Sequence, residues 1–277
     1  MASSNPAFNR SPAFSSNRDV AAKLQAGATG SVSTEGMTAA QLTDLYSVPS
    51  ATPSDTDRMT YEDTMVKIVT SFVILLVGAT VGWFFQVLAL PAALVGFVLA
   101  LVNIFKKKPS PALVLSYAAV EGIFVGGITQ FFETTSYSGI AVQAVLGTLV
   151  VIGVTFALFA SGKIRASKKA TKVFLIAMVG YGVFSLINFI GVATGMNSDP
   201  YGMSGSVKIA GIPLGVLLGV LVIVMAAYSL VLDFDSIQTG VKRGAPRIYG
   251  WTAAFGIMVT VVWLYLEILR LLALLRR

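Results

Sequence analysis

The chain has 277 residues, of which 55% are hydrophobic and only 12% charged, with a formal net charge of +7. A soluble domain carries about a quarter charged residues, so this composition and a mean hydropathy of +0.79 belong to a membrane protein. Cysteine and histidine are both absent, which excludes a disulfide framework, a thiolate nucleophile, a His/Cys zinc centre and a Ser-His-Asp triad.

Residues 1–60 differ in composition from everything after them. They are rich in Ser, Ala, Thr, Asn and Pro, with scattered charges of both signs. Such a segment cannot bury enough apolar surface to order itself, so a disordered cytoplasmic N-terminal tail is expected. "NPAF" at residues 5–8 returns as "SPAF" at 11–14, too short for a structural repeat. No apolar core of the about 7–15 residues that a signal peptide needs follows the start. A short amphipathic helix is expected near residues 39–46.

Residues 61–277 form the second unit, an all-α polytopic membrane domain. Apolar runs near the roughly 20 residues that cross a bilayer fall at 68–85, 87–105, 112–132, 140–160, 173–193, 209–232 and 248–275. The first two must turn within "FFQVLALPAA", where Pro91 suits the first turn of a new helix. Gly78 and Gly82, Gly122 and Gly126, and Gly211, Gly215 and Gly219 recur at steps of four. Small residues at that spacing let helices approach closely, read here as packing within the chain.

Lysine and arginine in short loops set the orientation. Lys106, Lys107 and Lys108 follow span two. Lys163, Arg165, Lys168, Lys169 and Lys172 follow span four, and Lys242, Arg243 and Arg247 follow span six. The opposite loops hold only Lys208, with Arg276 and Arg277 at the C-terminus. The basic residues therefore report topology beside anionic lipid, not nucleic-acid binding. They place the N-terminus in the cytoplasm and the C-terminus outside.

Few charges lie within the spans. Glu121 sits about nine residues into span three, about 13 Å along a helix. Asp233 and Asp235 close the apolar run of span six in "LDFDS", and the helix can run on to Gly240, a C-cap position, which would put Asp233 about two turns inside its end. Two residues apart on a helix, they point about 200° from each other, so only one can face the bundle interior. That inward acid would lie near Glu121 or another buried polar group. A desolvated carboxylate beside a second one shares a proton and titrates near neutrality. Without histidine, any pH response must come from such groups. Deprotonated, the pair would suit a hard cation that takes oxygen ligands. The alternative is that both acids lie in the headgroup layer beside Lys242 and Arg243. Glu267 and Arg270 are three apart on one face of span seven, where they can neutralise each other while Arg270 reaches to the headgroups.

"YAAVEGIFVG" in span three, "LDFDSIQTGV" closing span six and "FGIMVTVVWLYLEILRLL" in span seven together resemble the Bax inhibitor-1/YccA family of membrane proteins. "NPAF" and "MTYEDTMVK" are similar to its actinobacterial-type branch. The resemblance covers residues 59–277 and the tail motif. It implies seven helices, six around a central seventh, in a bacterial inner membrane. It also implies a pH-sensitive calcium leak, and, for bacterial relatives, a link to a membrane-bound AAA protease. The family's proposed sensor is an aspartate pair, one at the end of span six and one in span seven. The first falls on Asp233 or Asp235, with Asp235 the slightly better fit. For the second, aligning on Arg270 puts Thr260 at the position, while aligning on "LYLE" puts Glu267 there. The Thr260 register is the shorter path through the loop, and Glu121 is then the substitute acidic partner.

The expected function is thus a cation leak or proton-coupled pathway gated by Asp233 or Asp235 with Glu121, carrying Ca2+ or H+ and needing no cofactor or resident metal. Glu267, Arg270 and Thr260 are secondary candidates. The competing expectation is a non-transporting scaffold or protease regulator acting through its tail and helix faces. Catalysis is not expected, because the Gly-x-Gly-Asp pattern of intramembrane aspartyl proteases and the Ser-His dyad are both absent.

Overall fold

The computed structural model describes residues 57–135 and 138–276. The tail readings at residues 1–56, the NPAF and SPAF motifs among them, lie outside the described residues. Seven long helices follow: α1 Tyr61–Phe84, α2 Ala89–Phe105, α3 Pro111–Thr134, α4 Ile140–Ala160, α5 Lys168–Ala193, α6 Leu214–Lys242 and α7 Gly250–Leu275. All seven are long and apolar enough to cross a membrane, and the chain is a multi-pass membrane protein.

Local chemistry sets the helix starts. The Thr60 side chain accepts from the Asp63 backbone N–H at 3.1 Å, and Ser167 accepts from Ala170 at 3.2 Å. Both satisfy a backbone donor that a helix leaves unpaired at its first turn. Pro111 opens α3, where its missing N–H costs nothing. Glu133, at the end of α3, accepts from the backbone N–H groups of Gly139 at 2.5 Å and Ala141 at 3.0 Å. One helix thereby caps the next. Between α1 and α2 the chain needs only a 3-10 turn, Gln86–Leu88, and Pro91 falls in the first turn of α2.

Span six begins later than its hydropathy suggests. Lys208–Ile209 pairs antiparallel with Ile212–Pro213. The hairpin turns on Ala210 (φ 52°) and Gly211 (φ 82°), the two left-handed residues a tight type I′ turn requires. Gly211 is therefore a turn residue, and α6 starts at Leu214. Its other end runs past the acids to Lys242.

The α1–α3 interface is the closest in the bundle. A Cβ built on Gly82 would lie 2.0 Å from the Ile123 carbonyl oxygen, and one on Gly126 would lie 1.9 Å from that of Ala79. The backbones touch where the side chains are missing. α7 is the most enclosed helix, with 61% of its most apolar window buried against 6% for α5. It packs on α6, α1, α4 and α3, and Leu99 and Ile104 of α2 pack against the buried cluster that holds Phe255 and Met258. α5 lies at the rim, chiefly against α6.

Candidate functional site

Ser229, Asp233 and Ser236 recur at i, i+4 and i+7 on α6, so they share one helical face. That face turns toward α7. Asp233 is fully buried, and Ser229, Ser236 and Thr260 are buried with it. Thr260 Oγ1, on α7, donates to Asp233 Oδ2 at 2.7 Å. Ser229 Oγ lies 3.4 Å from Thr260 Oγ1, so a carboxylate and two hydroxyls form a short polar chain between α6 and α7, the most enclosed span.

Because α6 continues to Lys242, Asp233 is nine residues inside the helix, about 14 Å along its axis. Thr260 is ten residues into α7, about 15 Å from the same end. The pair therefore sits well inside the helical bundle rather than at its end. Apolar side chains bracket it. Ile237 and Ile257 belong to the cluster on the lysine-rich side, while Leu230 and Leu264 belong to the cluster beyond it. An ionisable group at this depth is costly unless it is paired, and in membrane proteins such groups mark function more often than packing.

The other candidates separate. Asp235 is half-buried on the opposite face of α6, with Arg165 and Lys242 as its cationic neighbours. Glu121 does not stand opposite α6. Its carboxylate hydrogen-bonds Tyr117 and lies in the space above Gly96 of α2, where a Cβ would meet Oε2 at 2.9 Å. The missing side chain at position 96 makes room for it. Tyr117 in turn packs edge-on against Phe255 of α7 at 5.1 Å. Glu121 thus belongs to the α2–α3 interface, and the carboxylate pairing expected with Asp233 is replaced by a hydroxyl from Thr260.

Glu267 is about two turns, roughly 10 Å, beyond Thr260 on α7 and cannot take the place facing Asp233. It is buried, pairs with Arg270, and accepts from the Tyr181 hydroxyl of α5 at 3.1 Å. Arg270 therefore turns inward to a buried partner instead of outward to headgroups. Among the described residues no three His, Cys, Asp or Glu side chains gather as a metal site.

Reasoning from the sequence missed Ser229, although it stands one turn before Asp233 on the same face. It also missed a cluster at the lysine-rich end. There Asp63 accepts from Arg247 Nε at 2.8 Å and pairs with Lys67. The i,i+4 spacing of Asp63 and Lys67 in "MTYEDTMVK" was the available signal, and the Arg247 contact, from a distant loop, had none.

The profile of a protein family described as Bax inhibitor 1 like matches residues 5–277. No curated protein matches the chain.

Proposed function

Because the chain belongs to the Bax inhibitor 1 like family, we propose that it is a pH-sensitive cation leak pathway whose gate is the Asp233–Thr260 contact. The single observation that supports this reading most is a fully buried carboxylate held by a hydroxyl at the centre of the bundle. In the charged state Thr260 donates to Asp233. Ser229 can then donate to Thr260, because either hydroxyl of that pair can be the donor. On protonation the carboxyl becomes a donor and the chain reverses, Asp233 to Thr260 to Ser229. Loss of the charge removes the strongest attraction across the α6–α7 seam, since hydrogen bonds to a charged group are about twice as strong as neutral ones. Protonation at one residue thereby becomes a change in how firmly two helices hold together.

The cation conducted is calcium or another hard ion attracted by carboxylate and hydroxyl oxygens. The activity is non-catalytic. The protein resides in a bacterial plasma membrane, with the N-terminus cytoplasmic, the C-terminus outside and the lysine-rich loops facing the cytoplasm. The test is calcium flux into vesicles containing the purified full-length chain, across a pH series. Asp233→Asn and Thr260→Val change the pH response, while Asp235→Asn and Glu121→Gln retain it. Wild-type-like flux in Asp233→Asn overturns the site. No flux at any pH replaces the reading with a non-transporting regulator, for instance of a membrane-bound AAA protease.

A further inference from the structure

Residues 57–60, which lead into α1, do not run straight out of the bundle. The Met59 N–H donates to the Ala245 carbonyl at 2.7 Å, and the Arg247 N–H donates to the Asp57 carbonyl at 2.8 Å. Arg58 and Pro246 face each other between these bonds as an antiparallel bridge. This strap therefore crosses the loop that joins α6 to α7. Gly244, at φ 63°, keeps the crossing close, since a Cβ there would lie 3.2 Å from Arg58 Cδ.

A charge cluster fixes the strap from the α1 side. Arg247 Nε and Nη2 both reach Asp63 Oδ1, at 2.8 and 2.7 Å. Lys67 Nζ pairs with the other Asp63 oxygen and donates to the Arg247 carbonyl at 2.6 Å. Gly250 lets Lys67 pass, because a Cβ there would meet Nζ at 3.0 Å.

The strap carries one large apolar side chain inward. Met59 is 2% exposed and packs in one cluster with Ile237, Ala245, Tyr249, Ala253 and Ile257. These residues fill the space between α6 and α7 on the lysine-rich side of Asp233. Methionine suits such a task, being unbranched and able to fill an irregular gap.

We infer that residues 57–60 are a strap that stoppers the α6–α7 seam with Met59 and is locked by Asp63, Lys67 and Arg247. Release of the strap opens Asp233 to water from the lysine-rich face. The role in gating rests on the function proposed above, whereas the stopper itself does not. It also couples the N-terminal tail to the seam, because a pull on residue 57 acts directly on the loop that ends α6.

The native chain has no cysteine, so a single Ser236→Cys reports access to the seam one turn below Asp233. The full chain in vesicles is labelled with a membrane-impermeant thiol reagent from the lysine-rich side. The expected result is slow labelling, accelerated about tenfold or more, ~1.4 kcal/mol, by Met59→Ala. Asp63→Asn with Arg247→Gln, which frees the strap without a cavity, does the same. In a separate chain an Arg58→Cys/Pro246→Cys disulfide, placed across a non-hydrogen-bonded pair whose spacing of about 4.5 Å suits the bond, reduces calcium flux until reductant is added. Unchanged labelling in both release variants overturns the stopper. Accelerated labelling with unchanged flux keeps the stopper and removes its role in gating, and accelerated labelling with no flux in any variant removes the leak function instead.

Discussion

The Thr260 hydroxyl of α7 donates to Asp233 of α6 across 2.7 Å, inside a bundle that leaves Asp233 no exposed surface. The resemblance implied an acid at the Thr260 position. A hydroxyl there can hold a carboxylate in either protonation state, whereas a second acid would have to share its proton. Thr260→Val keeps the shape and removes the donor. A hydrogen bond to a charged group is worth about 1.5–3 kcal/mol, so its loss lowers the melting temperature in detergent. Without the donor the α6–α7 contact no longer changes with protonation as it does in the wild type, and the flux–pH curve changes. A flux–pH curve superimposable on that of the wild type refutes the role given to Thr260.

Thr260→Asp restores the two-acid arrangement. Two carboxyl groups this close lose their protons in two separate steps. The variant's flux therefore responds to pH over a wider range than the wild type. Its stability falls toward alkaline pH, where both groups must carry charge in an apolar seam. Melting temperatures across a pH series check this, and a curve parallel to the wild type's rejects the contact as electrostatically important.

Seven spans and their small-residue stripes were legible in the sequence because both are local patterns: apolar length and a period of four. The same holds for the observation that only one acid of "LDFDS" can face inward. Which acid does so was not legible. It depends on the rotation of α6 about its axis against α7, which no single helix records; that the helix runs past the apolar run, as Gly240 suggested, was legible, and it runs to Lys242. The partner of Glu121 was hidden for another reason. Depth along a helix gives no azimuth, and the cue that mattered was Gly96 on a different span. Met59 meeting Ala245 is a contact between residues far apart in the chain that no periodicity announces.

The glycines divide into two groups whose substitution has opposite signs. Gly126→Ala forces a methyl to within 1.9 Å of the Ala79 carbonyl oxygen and separates α1 from α3. Overpacking of this kind costs about 1–3 kcal/mol, and displaced backbone places it at the upper end. Gly180→Ala on α5 has nothing within 4 Å, and replacing glycine within a helix gains about 1 kcal/mol at most. Thermal melts in detergent should therefore fall clearly for the first and hold or rise for the second. Equal behaviour of the two variants removes the interlocking of α1 with α3.

Glu267, Arg270 and Tyr181 tie the rim helix α5 to the central α7. Glu267 pairs with Arg270, and the Tyr181 hydroxyl donates to it at 3.1 Å. Removing one partner of a buried ion pair costs roughly 3–5 kcal/mol, whereas replacing both with apolar residues is often neutral. The Arg270 side chain keeps 24% of its surface exposed, which places Glu267→Gln at the low end of that range. Glu267→Leu with Arg270→Leu recovers most of the lost stability, and the double variant retains the pH response of flux, because the pair lies about two to three turns along α7 from Thr260, which contacts Asp233. Tyr181→Phe loses about 1 kcal/mol and loosens α5, read as faster protease cleavage in the loop before Lys168. A double variant that is folded but no longer responds to pH would move the gate from Asp233 to this pair.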